Sequence, residues 1–313
     1  MNAIAHEHIV GDDRTAVSLP ALIALRDRIG RARVAPIVSR TARSGQHTIR
    51  LFGRGMDYAE SRVYQGGDDV RRLDWRLTAR SGKLHTKLFQ EDRESSTLIL
   101  LDTHSSMRFG TRVRFKSVQA ARVAAAVTWR VTQAGERVGM VGFGAGTDQV
   151  LRPKGGVRGA LAACGALAKW DESAAVHEGE VLSSVLRRVR RLLHMSSRIV
   201  LISDGFSCDA AAQGPLRELA QRASLSFVLV ADVLELELPV AGSYPLASHG
   251  QRGFVNLRSQ ARQRDFLRVL GAGAARLRAK AEALGSRCVQ VDVAADACAA
   301  SARIVRSGRG RHR

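Results

Sequence analysis

The chain has 313 residues, 45% of them hydrophobic and 25% charged, enough apolar material for one large domain, or a large and a small one, without disulfide or metal staples. Its formal net charge is +20, yet only six of the 49 basic residues are lysines and the arginines are scattered rather than gathered in a block. Cys164, Cys208, Cys288 and Cys298 lack C-x-x-C spacing and no run of 18 apolar residues occurs, which excludes a disulfide scaffold and a membrane-spanning helix.

The opening, MNAIAHEHIVGDDRTA, has neither a basic n-region nor a long apolar h-region, so a cytoplasmic protein with reduced thiols is expected. Residues 1–47 read as a flexible N-terminal segment carrying one short helix. Ser18 is its candidate N-cap, Pro20 sits in its first turn, and Leu22, Leu25 and Ile29 share a face; the Arg/Ser/Gly-rich stretch 31–47 reads as a linker. Residues 48–95 are punctuated by Gly53, Gly55, Gly66–Gly67 and Ser81–Gly82. Between these turns DWRLTAR and KLHTKLF alternate, predicting a hairpin on Ser81–Gly82 within a small β-rich subdomain.

From residue 96 to about 300 the pattern changes. TLILLD (97–102), RVGMVGF (137–143), SRIVLISD (197–204), LSFVLVAD (225–232) and RCVQVDV (287–293) are nearly continuous in apolar residues, as strands buried on both faces are. Helical periods over 112–134, 180–193 and 259–285 lie between them. The alternation predicts an α/β fold with a doubly wound, mostly parallel sheet and helices on both faces. The basic tail RSGRGRHR, 306–313, reads as a disordered end.

In open α/β sheets ligands gather beyond the carboxyl ends of the strands. Two predicted strands end there in an aspartate, Asp102 and Asp204, with hydroxyls following the first. Paired carboxylates with hydroxyls form a hard-cation site of the kind that takes Mg²⁺ or Mn²⁺. The stretch Asp102, Thr103, His104, Ser105, Ser106 resembles the D-x-S-x-S motif of the metal-ion-dependent adhesion site in von Willebrand factor A domains. Asp102 and Ser106 match, His104 stands where that motif has a serine, and Asp204 fits the family's late aspartate. No counterpart of the family's metal-binding threonine is placed between 144 and 180. The resemblance implies a degenerate metal site at Asp102, Ser106 and Asp204, either vacant or holding Mg²⁺ or Mn²⁺.

The segment GRGMDYAESRVYQGGDDVRRLDWRLTARSGKLHTKLFQEDRE, 53–94, carries a denser pattern. Gly53, Arg54, Gly55, Tyr58, Glu60, Arg62, Tyr64, Gly67, Asp68, Asp69, Arg71, Asp74, Trp75, Ala79 and Arg80 stand as in the signature of the family called domain of unknown function 58. That resemblance implies a von Willebrand-A-like domain preceded by this extra segment, working with MoxR-type AAA+ ATPases. It favours a non-enzymatic interaction module that docks at the rim near Asp102, His104, Ser106 and Asp204. Two other readings stay open: a basic nucleic-acid-binding protein, from the charge and the tail, and a phosphohydrolase using Asp102 and Asp204. Asp68, Asp69 and Asp74 read either as metal ligands or, better given the surrounding arginines, as structural partners of those arginines. GFGAGTD (142–148) lacks the last glycine of G-x-G-x-x-G, and neither a phosphate-binding G-x-x-x-x-G-K-S/T nor a G-x-S-x-G elbow occurs.

Overall fold

The computed structural model describes residues 14–29, 56–91, 95–144, 149–172, 179–248 and 251–305. The linker 31–47, Gly53 to Gly55 of the signature and the basic tail lie outside the described residues. The chain divides into two compact units, residues 43–94 and the remainder.

In the smaller unit, β1 (Met56–Val63) pairs antiparallel with β2 (His85–Glu91), with a register shift between Tyr58 and Glu60. Between them lie a 3-10 turn (Val70–Arg72) and helix α2 (Trp75–Ser81). The hairpin expected on Ser81–Gly82 is therefore corrected: DWRLTAR is an N-cap followed by a helix. Asp74 Oδ1 accepts the Leu77 N–H at 3.1 Å, and Gly82, at φ +70°, closes the helix with its N–H on the Thr78 carbonyl. A capping aspartate before the helix and a left-handed glycine just after it decide the segment more strongly than a weak alternation does.

The larger unit opens with α1 (Leu19–Ile29) and continues through β3 (Ser96–Asp102), α3 (Lys116–Gln133), β4 (Arg137–Phe143), β5 (Val150–Lys154), α4 (Gly156–Glu172), α5 (Leu182–Arg188), α6 (Arg190–Met195) and β6 (Arg198–Ser203). It ends with α7 (Gln213–Arg222), β7 (Ser224–Ala231), α8 (Val233–Leu236), a hairpin of β8 (Ser243–Ser248) and β9 (Gln251–Asn256), α9 (Gln260–Leu270), α10 (Ala272–Ala283), β10 (Arg287–Asp292) and α11 (Ala297–Val305). Six strands form one sheet in the order β10-β7-β6-β3-β4-β5, parallel except for the antiparallel edge strand β5. This is the doubly wound arrangement expected, and all five predicted strands belong to it. Counted within the sheet, its first and fourth strands, β3 and β6, lie side by side. That makes the gap beyond their carboxyl ends the topological switch point.

Side chains alternate across a strand, so each sheet face has its own core. Ile99, Leu101, Val200 and Ile202 pack on the face covered by α3, α4 and α11. Leu98, Leu100, Ile199 and Leu201 pack on the face covered by α5, α7 and α10. Helix α3 is buried through nearly its whole length, which its alanines permit by letting neighbours approach closely. Helix α1 belongs to this unit: Leu22, Leu25 and Ile29 are buried in the core, and the Trp129 indole N–H donates to the Leu22 carbonyl at 3.1 Å. The helix expected over 180–193 is two, broken at Val189, and the one over 259–285 is interrupted at Gly271.

Gly205 follows Asp204 with φ +91°, and a Cβ there would run into the Gly273 carbonyl at the start of α10. Gly205→Ala is therefore expected to cost about 2–4 kcal/mol, combining left-handed strain with overpacking, and to show as a lowered urea midpoint.

Candidate functional site: the carboxyl rim of β3 and β6

Asp102 is the last residue of β3 and is 1% exposed; Asp204 follows β6 directly and is 2% exposed. Leu101 and Ile202 are register partners, so the two aspartates reach the same rim of adjacent strands. Their positions in the alternation differ, however. Asp102 continues the Leu98–Leu100 face and Asp204 the Val200–Ile202 face, so the two carboxylates enter separate networks.

The Asp102 carboxylate is fully engaged by its own chain. Oδ1 accepts the His104 backbone N–H at 3.0 Å and the His104 Nδ1–H at 2.7 Å; Oδ2 accepts the hydroxyls of Ser203 and Ser207, each at 2.6 Å. Burial pushes this carboxyl up, but the hydrogen bonds and charge of His104 and the two hydroxyls outweigh it and hold it below the ordinary carboxylate range. Burial likewise pushes His104 down, yet its bond to Asp102, that carboxylate's charge and a hydrogen bond to the Gly179 carbonyl leave it raised. The Asp102 bond and charge favour the protonated ring of His104. Its ring lies against Gly144, where a Cβ would come within 2.7 Å of it, and meets Phe143 edge-on at 5.8 Å between centroids.

Asp204 has a different cation. Lys116, at the start of α3, donates from Nζ to Asp204 Oδ2 at 2.9 Å and to Glu235 Oε1 at 2.6 Å. Its side chain is 1% exposed, and its ammonium stands 5.5 Å from the Phe109 ring centroid and 5.8 Å from that of Phe206. Burial alone would lower this lysine, but the charges of Asp204 and Glu235 raise it, so it is held as an ammonium. Glu235 is in turn fixed by a reciprocal cap: Asp232 N–H donates to Glu235 Oε2 at 2.9 Å, and Asp232 Oδ1 accepts the Leu234 N–H. Asp232 also takes the Thr111 hydroxyl and backbone N–H, tying the loop after β3 to the end of β7.

This donor set does not fit Mg²⁺ or Mn²⁺. The carboxylates belong to two networks, Asp102 bonded to the His104 ring and Asp204 to the Lys116 ammonium, and His104 fills the position of a serine ligand. Ser106 Oγ is buried without a hydrogen-bond partner and bonds neither carboxylate. No cluster of three or more His, Cys, Asp or Glu able to hold a metal occurs among the described residues. On the α3 side of the rim a small cleft is lined by Thr103, Arg108, Ser117, Trp170 and Asp171.

Lys116 and Glu235 escape a reading of local motifs, because residues 116, 204 and 235 meet only through the fold. One signal for Lys116 is present: it is one of just six lysines in a chain that otherwise uses arginine. The D-x-x-E spacing of Asp232 and Glu235 likewise marks a capping box.

In the smaller unit the three aspartates of the signature act structurally. Arg62 pairs with Asp68 at 2.7 Å, Asp69 caps the 3-10 turn through the Arg71 N–H, and Asp74 caps α2 while accepting the Ser61 hydroxyl at 2.7 Å. Only one of these is the guanidinium pairing expected; the other two bind backbone N–H groups.

The family described as "Protein of unknown function DUF58" matches residues 60–272, well over half of the chain. The chain belongs to the DUF58 family. This DUF58 protein is 33% identical over 205 residues to uncharacterized proteins of Mycobacterium bovis and Mycobacterium tuberculosis, covering 64% of its own length and 63% of theirs. The match thus spans less than two thirds of those relatives. Among solved structures it is similar to the conserved hypothetical protein BatB from Bacteroides thetaiotaomicron, with TM-score 0.43 and 15% identity over 67% of this chain and 97% of that one. It is also similar to the SpRpn10 VWA domain, with TM-score 0.37 and 10% identity over 68% and 97%. Among the described residues no helix is long and apolar enough to cross a membrane.

Proposed function

We propose that this DUF58 protein is a non-enzymatic interaction module, an accessory partner of a MoxR-type AAA+ ATPase, which docks through the carboxyl rim of β3 and β6 without a bound metal. The observation that carries the reading is the pair of built-in partners, the His104 ring on Asp102 at 2.7 Å and the Lys116 ammonium on Asp204 at 2.9 Å. An adhesion site leaves an open coordination position for a partner's carboxylate. Here both carboxylates are already bonded to protein donors, so recognition rests on shape and on the exposed Ser105 in the 3-10 turn Ser105–Met107. Nucleophile, base and oxyanion donors do not converge there, and both carboxylates are committed to protein donors, which disfavours a phosphohydrolase.

Two measurements test this. Calorimetric titration of the whole chain with Mg²⁺ and with Mn²⁺ should give no saturable heat, and Ser105→Arg should abolish co-purification of the MoxR-type ATPase while leaving the unfolding midpoint unchanged. Stoichiometric metal uptake, or a complex that the Ser105→Arg substitution leaves intact, contradicts the docking mode.

A further inference from the structure

Among the described residues of the smaller unit, three half-buried aspartates are held by their own chain while four basic side chains are exposed. Asp69 and Asp74 are spent on backbone N–H groups, and Asp68 on Arg62 and the Gln65 N–H. Arg71, Arg76, Arg80 and Lys83 are left exposed. No ion pair to any of these four occurs among the described residues. Arg76 and Arg80 stand four apart on α2, a like-charge spacing that weakens a helix of only seven residues. Local stability gives no reason for that choice.

The same segment exposes apolar surface. Trp75 is 68% exposed, Val70 61%, Val63 52% and Leu84 47%. Backbone bonds bring the stretches of Val63, Trp75 and Leu84 together: Asp74 N–H donates to the His85 carbonyl, Tyr64 N–H to the Leu84 carbonyl, and Val63 is the register partner of His85. Tryptophan and arginine are the side chains most enriched at the energetic centres of protein interfaces. Valine and leucine offer nothing to a nucleotide base or a phosphate, but they do pack against aliphatic side chains. The exposed Arg71, Arg76, Arg80 and Lys83, which flank these residues in sequence, favour carboxylates.

We infer that Trp75, with Arg71, Arg76, Arg80 and Lys83, forms a docking surface for an acidic protein segment bearing aliphatic side chains. This surface belongs to the smaller unit, whereas the β3–β6 rim belongs to the larger one, and it does not depend on that rim.

Trp75 also supplies the readout, because the other two tryptophans, Trp129 and Trp170, are buried at 1% and 7% exposure. The full chain is titrated with a Glu/Leu copolymer, which has no fluorescence of its own, and tryptophan emission and acrylamide quenching are followed. The expected result is a blue shift with reduced quenching, absent in Trp75→Phe. Arg76→Glu/Arg80→Glu should weaken the apparent affinity by about tenfold or more, and Arg71→Glu/Lys83→Glu should do so independently. Ser105→Arg should leave the titration unchanged, which separates this surface from the rim. Three results overturn the inference: Trp75 already shielded from acrylamide in the free chain, a larger shift with polyuridylate or phosphatidylserine vesicles than with the copolymer, or indifference to both charge reversals.

Discussion

Lys116→Met is expected to lower the unfolding free energy by about 3–5 kcal/mol, the cost of removing one partner from a buried charge cluster. The ammonium is within hydrogen-bond distance of two carboxylates, Asp204 and Glu235, and all three side chains are nearly inaccessible to water. Without it, two negative charges stay buried beside Phe109 and Phe206 with no counter-charge. Methionine matches the lysine stem in length and fills the space without leaving a large cavity, so the loss reports electrostatics rather than packing. The variant Lys116→Met/Asp204→Asn/Glu235→Gln removes the uncompensated charge and should recover roughly half of the loss or more. Urea denaturation of both variants decides it. A single variant as stable as the parent would show that Lys116 does not hold the rim together.

Asp102→Ala is expected to be nearly as severe. It strands the His104 Nδ1–H and the hydroxyls of Ser203 and Ser207, and at roughly 1–3 kcal/mol for each buried donor left unpaired the loss is about 3 kcal/mol or more. The effect carries a pH signature. His104 is raised in the folded protein, so its contribution is complete below the ordinary histidine value and fades as pH rises through the raised value. Asp102 is lowered, so its contribution is complete above the ordinary carboxylate value and fades as pH falls through the lowered one. The stability difference between parent and variant should therefore form a plateau across mildly acidic pH and decline on both sides. Urea midpoints measured across the pH range test it, and a difference independent of pH on the alkaline side would mean that His104 is not charged in the fold.

The five core strands were legible because strands buried on both faces need unbroken apolar runs, and LILL or IVLI admits few other readings. The placement of Asp102 and Asp204 at one rim followed from the same runs, since each aspartate stands at the end of one. The edge strand β5 and the β8–β9 hairpin were missed because half-exposed or isolated strands carry no such run. In α2 the alternation of DWRLTAR points to a strand, but the caps Asp74 and Gly82 make it a helix.

By itself the chain's order of residues determined the strands, their carboxyl ends and the family signature, because burial periodicity and short motifs are local properties. Only the tertiary structure decided what the two aspartates do. Whether a carboxylate meets a metal or an ammonium depends on which sheet face it enters and which distant side chains reach it there. The alternation sends Asp102 to Ser203 and Ser207, 101 and 105 residues on, and Asp204 to Lys116, 88 residues back, whose ammonium also holds Glu235, 119 residues away; no local pattern encodes these contacts.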